Sequence, residues 1–348
     1  MSTSYARVNF FVRFLSLAAV VSIPIMLHQR GLSSLEMGYY IATLWLGSGV
    51  GTVLTLFKPV SLARSSRVGF AVVAVTFFGL IFLTSPLLLA ALGFGLSLTE
   101  IPAMNEAGRA GSRGVFSYYA SLSLATLSSS IAMPFLLYLG PGVALASLAV
   151  MSLAAAPMGK GNSTRRGLAF SHLQVFKQKY VALFFYNFGL YMAFDFVFTF
   201  FGARLMDLGY PGWASQAAFL GLFLTAFFVR FLHPISIMDS RALTITALIL
   251  MPLLLLPMPV PLFSLAALGI SYGFLPVMVA LKVARSSGED FATLNVMVFS
   301  SSGFASFLAP LIGGWAISLI GFAPSLLFFS ALCAPMAFSG MKGGELAF

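Results

Sequence analysis

The sequence predicts an all-α polytopic membrane protein whose twelve transmembrane helices form two parallel six-helix repeats. Three observations lead there. Of the 348 residues 59% are hydrophobic and only 8% charged. The apolar residues gather into twelve runs of near-spanning length, ordered as six, a polar gap, and six more. Lysines and arginines crowd into every second connection between the runs.

A mean hydropathy of +0.99 lies far from the average of a water-soluble domain and excludes one. At about twenty residues per span, twelve spans leave short connections and no room for a separate soluble domain. The single cysteine, Cys333, has no partner within the chain, so neither an intrachain disulfide nor a paired-cysteine metal site is expected, and no cofactor either.

The first run, 8–28, follows a start that resembles the basic opening of a signal peptide. Arg13 interrupts it and eleven runs follow, so it reads as a retained first span. The second, 36–57, is followed by Pro59-Val60-Ser61, and the third, 68–84, by Thr84-Ser85-Pro86. Runs 86–105 and 114–139 come next; Gly140-Pro141-Gly142 then turns the chain into 141–157. The second set begins at 180–203, rich in phenylalanine from Phe184 to Phe201, and continues with 214–232 and 242–257. Pro257-Met258-Pro259 breaks into 260–281, and Gly321-Phe322-Ala323-Pro324 separates 291–317 from 321–339. Proline and glycine at these points mark tight hairpin breaks. The expected units are an N-terminal bundle over 1–157, a cytoplasmic linker over 158–179 and a C-terminal bundle over 180–348. The linker mixes Leu168, Phe170, Leu173 and Phe176 with basic residues, a pattern that suits a short interfacial helix or a plain tether.

With the N-terminus in the cytoplasm, the inner connections hold sixteen of the 19 basic residues and the outer ones only Arg30 and Arg204. This asymmetry places both termini in the cytoplasm of a multi-pass protein of the cell membrane. It also explains the net charge of +10 through contact with anionic lipid, without nucleic acid.

The halves resemble each other in order and spacing. Phe10-Phe11-Val12-Arg13-Phe14 returns as Phe184-Phe185-Tyr186-Asn187-Phe188, and Ala90-Ala91-Leu92-Gly93 as Ala266-Ala267-Leu268-Gly269. Pro59-Val60-Ser61 returns as Pro234-Ile235-Ser236, Ile101-Pro102-Ala103-Met104 as Leu275-Pro276-Val277-Met278, and Ser128-Ser129-Ser130 as Ser300-Ser301-Ser302. A common offset of 172 to 176 residues makes this a duplication. Six spans is an even number, so the second copy enters the membrane from the same side as the first, a parallel repeat.

Three local segments sharpen the picture. Pro59 to Arg67 keeps Arg64 and Arg67 of a Gly-x-Leu-Ala-Asp-Arg-x-Gly-Arg pattern, with Ala63 in place of the acid; Glu106 stands seven residues before Arg113-Gly114; and Ala309-Pro310-Leu311-Ile312-Gly313-Gly314 brings small residues together in the eleventh span. On these segments and its two-fold architecture, the chain resembles the major facilitator superfamily of transporters over nearly its whole length. The resemblance implies that spans 1, 4, 7 and 10 line a central cavity and that the halves rock to expose it alternately. It also implies a cytoplasmic gate formed by Arg64, Arg67, Glu106 and Arg113, which otherwise read as a solvated topogenic cluster.

Ionisable groups inside spans are costly and face cavities or partners. Arg13 in the first span, Glu100 in the fourth and Asp195 in the seventh all fall on spans that the resemblance assigns to the cavity. Arg13 and Glu100 read either as a pair that a solute or proton breaks or as a permanent structural ion pair. Asp195 reads as a carboxyl group for a proton or a cationic solute, or as a group capped by Asn187 or a hydroxyl. Asn187, Tyr191, Tyr272 and Asn295 are candidates to hydrogen-bond a solute, with interhelical contacts as the alternative. His28 and Arg30 read as solvated headgroup contacts at the outer end of the first span.

Together these features predict a secondary active transporter that moves a small organic solute by alternating access, proton-coupled and able to act as a monomer. An uncoupled facilitator and a non-transporting receptor or assembly protein of the same fold are the rivals. The paired carboxylates, metal-spaced histidines and nucleophile triads of an enzyme are missing from the sequence.

Overall fold

A computed structural model describes residues 4–58, 60–160, 178–231, 240–287 and 291–339. Within them the chain is helical throughout: α1 (Ser4–Gln29), α2 (Ser34–Phe57), α3 (Leu62–Phe82), α4 (Pro86–Arg109), α5 (Gly111–Leu139) and α6 (Pro141–Ala155) precede the linker. After it come α7 (Gln178–Asp207), α8 (Gly212–Ala217), α9 (Leu220–Phe231), α10 (Ser240–Leu250), α11 (Val260–Ser287), α12 (Phe291–Ile320) and α13 (Phe322–Ser339). Among the described residues nine segments are long and apolar enough to cross a membrane, and three shorter apolar helices complete the set of twelve. The pair α8 and α9 makes one such span, tightened where the Phe219 amide reaches only as far back as the Gln216 carbonyl.

The breaks follow local chemistry. Ser33 caps α2 in a capping box with Glu36, whose carboxylate returns a bond to the Ser33 amide at 2.8 Å. Gly31, Gly140, Gly209 and Gly321 take positive φ at the turns after α1, α5, α7 and α12, where other residues would be strained. Pro252 lacks an amide hydrogen, and α10 gives way there to a 3₁₀ turn over Pro252–Leu255.

One boundary departs from the sequence reading. The third helix begins at Leu62 rather than at 68, with Ser61 at its cap position. Arg64 and Arg67 therefore stand on a helix rather than in a loop. Both are exposed while Ser65 and Ser66 between them are buried, so the first turn is amphipathic and continues the helix out of the apolar run.

Apolar burial does not drive helices together in lipid; close backbone approach does. A Cβ on Gly47 would run into the Ala90 carbonyl, and one on Gly93 into the Leu44 carbonyl, so α2 and α4 touch backbone to backbone. In the second half the same contact recurs between α9 and α11, where a Cβ on Gly269 would run into the Leu222 carbonyl and one on Gly273 would lie 3.0 Å from Ala226. Gly93 and Gly269 are the repeat-matched glycines of the sequence, and they do the same packing.

The two groups of helices meet through α2 with α12, α5 with α8 and α9, and α1 with α7. Gly38 lies against Pro310, and Gly314 against Ser34 and Gly38, so the small residues of the eleventh span do bring two backbones together. Ser22 donates to Gln216 at 3.3 Å, Tyr138 meets Trp213 edge to face at 6.0 Å, and His28 pairs with Asp207 at 3.0 Å. All of these contacts lie at the end that carries the α1–α2 and α7–α8 turns.

His28 and Arg30 thus have partners in the protein, while Arg30 stays exposed at the outer end of the first span, as read from the sequence. His28 bridges the two groups, and Arg30 bonds the Thr84 hydroxyl and, at 2.8 Å, the Leu80 carbonyl.

Candidate functional site

Halfway along the bundle, polar side chains face one another across the two groups of helices. On α1, Asn9 and Arg13 stand four residues apart and share one face. The Asn9 amide donates to the Tyr118 carbonyl at 2.9 Å and to the Ser121 hydroxyl at 2.7 Å, which fixes α5 beside α1. Arg13 then donates to the Tyr118 hydroxyl at 3.0 Å and forms an ion pair with Glu100 on α4. The Arg13 and Glu100 side chains remain 30% and 23% exposed, so the pair is wet on one side although it lies deep in the bundle. The Arg13 Nε is buried without a hydrogen-bond partner among the described residues.

On α7 the spacing of four repeats through Asn187, Tyr191 and Asp195. The Asn187 amide donates to Ser301 of α12 at 2.9 Å and the side chain is fully buried, so it ties α7 to α12. It does not reach Asp195. Asp195 instead accepts from the Ser306 hydroxyl of α12 at 2.6 Å and is 5% exposed, held by a hydroxyl with no cation paired to it among the described residues. Tyr191, partly buried, lies within electrostatic reach of Arg13, Tyr272, Asp195 and Arg230.

Tyr272 on α11 is the aromatic centre of the second half. Its ring packs against Phe194 at 5.2 Å, Phe198 at 5.4 Å and Phe223 at 6.0 Å. Arg230 lies over it, 5.6 Å from guanidinium carbon to ring centroid, and donates to the Gly273 carbonyl at 3.3 Å and the Tyr272 carbonyl at 3.4 Å. The sequence reading assigned Arg230 to the basic inner surface by its position at a span end. Its long stem carries the guanidinium back into the bundle, toward Tyr191 and Tyr119. Tyr118, the hydroxyl partner of Arg13, also escaped the sequence reading, because a tyrosine in an apolar span gives no signal until its neighbours are known.

The remaining candidates spread out. Arg64 and Arg67 have no ion-pair partner among the described residues; Glu106 is half-buried near the end of α4. Arg113 is in the first turn of α5 and Asn295 in the first turns of α12, but their side chains lie outside the described residues. Pro234-Ile235-Ser236 and most of the linker also lie outside them.

No family model and no curated protein matches the sequence. Solved structures do match the fold. The chain is similar to the nucleoside transporter NupG at 16% identity and a TM-score of 0.74, over 98% of this chain and 99% of that one. It is similar to a D-xylose–proton symporter at 12% identity and a TM-score of 0.74, over 97% and 96%. A POT family transporter matches at 13% identity and a TM-score of 0.72, over 98% and 95%. At such identities the likeness is one of architecture, and the architecture is full-length: the chain has the major facilitator fold.

Proposed function

We propose that the protein is a secondary transporter that moves a small organic solute across the cell membrane by alternating access, coupled to protons through Asp195. The observations that carry this reading are the close contact of the helix groups at one end and the exposure of a charged pair at mid-depth. Gly38, Gly314, Gln216, Asp207 and their partners seal one end, while the Arg13 and Glu100 pair at mid-depth stays 30% and 23% exposed. With both termini in the cytoplasm, as the basic residues favour, the sealed end is the outer one and the cleft opens inward. The units that rock are the bundles 1–157 and 180–348, joined by the linker 158–179, and one chain encloses its own pathway.

Asp195 suits a proton carrier because its surroundings are apolar, its one described partner is a hydroxyl, and no arginine compensates its charge. A carboxyl group so placed is neutral when protonated and can leave its site with the helix that carries it. That one structural neighbour is by name a proton symporter is in keeping with this reading.

The Ser306 bond also favours a second reading, in which Asp195 only ties α7 to α12 and passage is uncoupled. Liposomes loaded with a pH-sensitive dye separate the two. Under an imposed proton gradient, proton movement driven by one solute class and lost in Asp195→Asn supports coupling. Solute flux without proton movement, unchanged in Asp195→Asn, removes the coupling role. Absence of flux with every solute class overturns transport itself.

A further inference from the structure

We infer that the central cleft binds a small organic anion, a carboxylate on an apolar or aromatic body, between Arg13 of the first half and Arg230 of the second. This rests on the transport reading for its purpose but not for its chemistry.

The two guanidiniums differ from the other basic residues whose side chains the structure describes. Both are drawn into the bundle, both lie within electrostatic reach of Tyr119, Tyr191 and Tyr272, and Arg230 feels the charge of Arg13 across the two halves. Each also keeps a nitrogen without a hydrogen-bond partner among the described residues, Nε of Arg13 and Nη1 of Arg230. Arginine nitrogens are donors only, so the missing partners are acceptors. One carboxylate, Glu100, answers Arg13; among the described residues none answers Arg230, whose bonds go to two backbone carbonyls. Asp195 does not supply the charge, since it is turned to Ser306 and neither arginine acts on it.

Two inward-turned arginines, of which the one described carboxylate answers only Arg13, leave Arg230 without a negative charge among the described residues. A guanidinium matches a carboxylate in a planar two-point contact, which gives both affinity and orientation. The wall around it is aromatic: Tyr272 with Phe194, Phe198 and Phe223 behind it, and Tyr191 and Tyr119 alongside. Rings with hydroxyl edges suit a body that is apolar on its faces. A cation would meet two guanidiniums, and a neutral solute would leave their donors unmatched. An anion held by both arginines also joins the two halves through one ligand, which is what a solute must do if its binding is to favour closure.

Benzoate, benzamide and benzamidine share one ring and nearly one size and differ in charge, so they isolate this inference. Binding to the purified full-length protein in detergent is read by thermal shift and calorimetry, without any transport. Benzoate is expected to bind and to stabilise, with benzamide and benzamidine at least tenfold weaker. Arg230→Gln should weaken benzoate by at least tenfold, and Arg230→Lys, which keeps the charge and the carbonyl contacts but not the fork, by a smaller factor. Arg230→Lys guards against loss of fold in the glutamine variant. Equal or tighter binding of benzamide or benzamidine, no benzoate binding up to millimolar concentration, or benzoate binding unchanged in both Arg230 variants overturns the inference. Liposome flux then tells the two readings apart: benzoate bound while no solute class is moved leaves the site standing and sinks transport. Benzoate moved equally well by wild type and Arg230→Gln sinks the site and leaves transport standing.

Discussion

The first half of the bundle holds its charge in a pair and the second half holds its charges apart. In the first, Arg13 meets Glu100 and the Tyr118 hydroxyl, with Asn9 fixing α5 behind them. In the second, Arg230 lies on Tyr272 and backbone carbonyls, while Asp195 faces Ser306 on another helix. Yet the packing of the halves is the same, glycine on carbonyl between α2 and α4 and between α9 and α11. Duplication preserved what the backbone requires, and the polar residues diverged.

Asp195→Asn is the strongest break of this contrast. It removes the titrating group and keeps the Ser306 contact, so proton movement in liposomes should fall to background while binding of benzoate stays within a few-fold of wild type. Loss of both together would mean that the carboxyl group belongs to the solute site rather than beside it.

Gly314→Val comes next. A side chain there runs into Ser34, Leu35 and Gly38 at the sealed end. Overpacking of this kind costs about 1–3 kcal/mol, and here it opposes the closed arrangement specifically. Single cysteines placed near Gln216 in a Cys333→Ser background should label with a membrane-impermeant thiol reagent faster in Gly314→Val than in its parent. Equal labelling would mean that the seal does not depend on this contact.

The Arg13 and Glu100 pair sharpens the comparison through a double-mutant cycle. Arg13→Gln and Glu100→Gln should each lower stability, and the double variant should be less harmful than the sum. The coupling energy for a half-exposed pair is about 1–3 kcal/mol, between a surface and a buried ion pair. Additive effects, measured by thermal unfolding in detergent, would make the two residues independent.

The smallest effect is expected of His28→Ala. The Asp207 side chain that faces it is half-exposed, so the stability change should stay below about 1 kcal/mol. The labelling rate at the sealed end should rise by less than in Gly314→Val. A larger rise would make this pair, rather than the glycines, the latch.

How far the chain could be read in advance differs by residue. The helix breaks were legible because Gly140, Pro141 and Gly321 act through local backbone chemistry. Arg13, Glu100 and Asp195 were legible because charge inside an apolar run is conspicuous, and the structure does bring the first two together. Arg64 and Arg67 were misplaced into a loop, since hydropathy falls before the helix ends. Arg230 was taken for a surface charge, since sequence position gives the Cα and not the reach of a long side chain. The Asn187 cap on Asp195 did not form, because eight residues along α7 separate the two by about 12 Å; the hydroxyl alternative did, from Ser306 on α12.

The sequence by itself determined the spans, their pairing into two repeats and the residues whose burial needs a reason, because these follow from transfer energies and local backbone preferences. Only the tertiary structure decided which end is sealed, that Glu100 rather than a solute answers Arg13, and that Arg230 turns inward without a carboxylate among the described residues. Those outcomes depend on which side chains of distant helices arrive at the same place, and packing alone sets that.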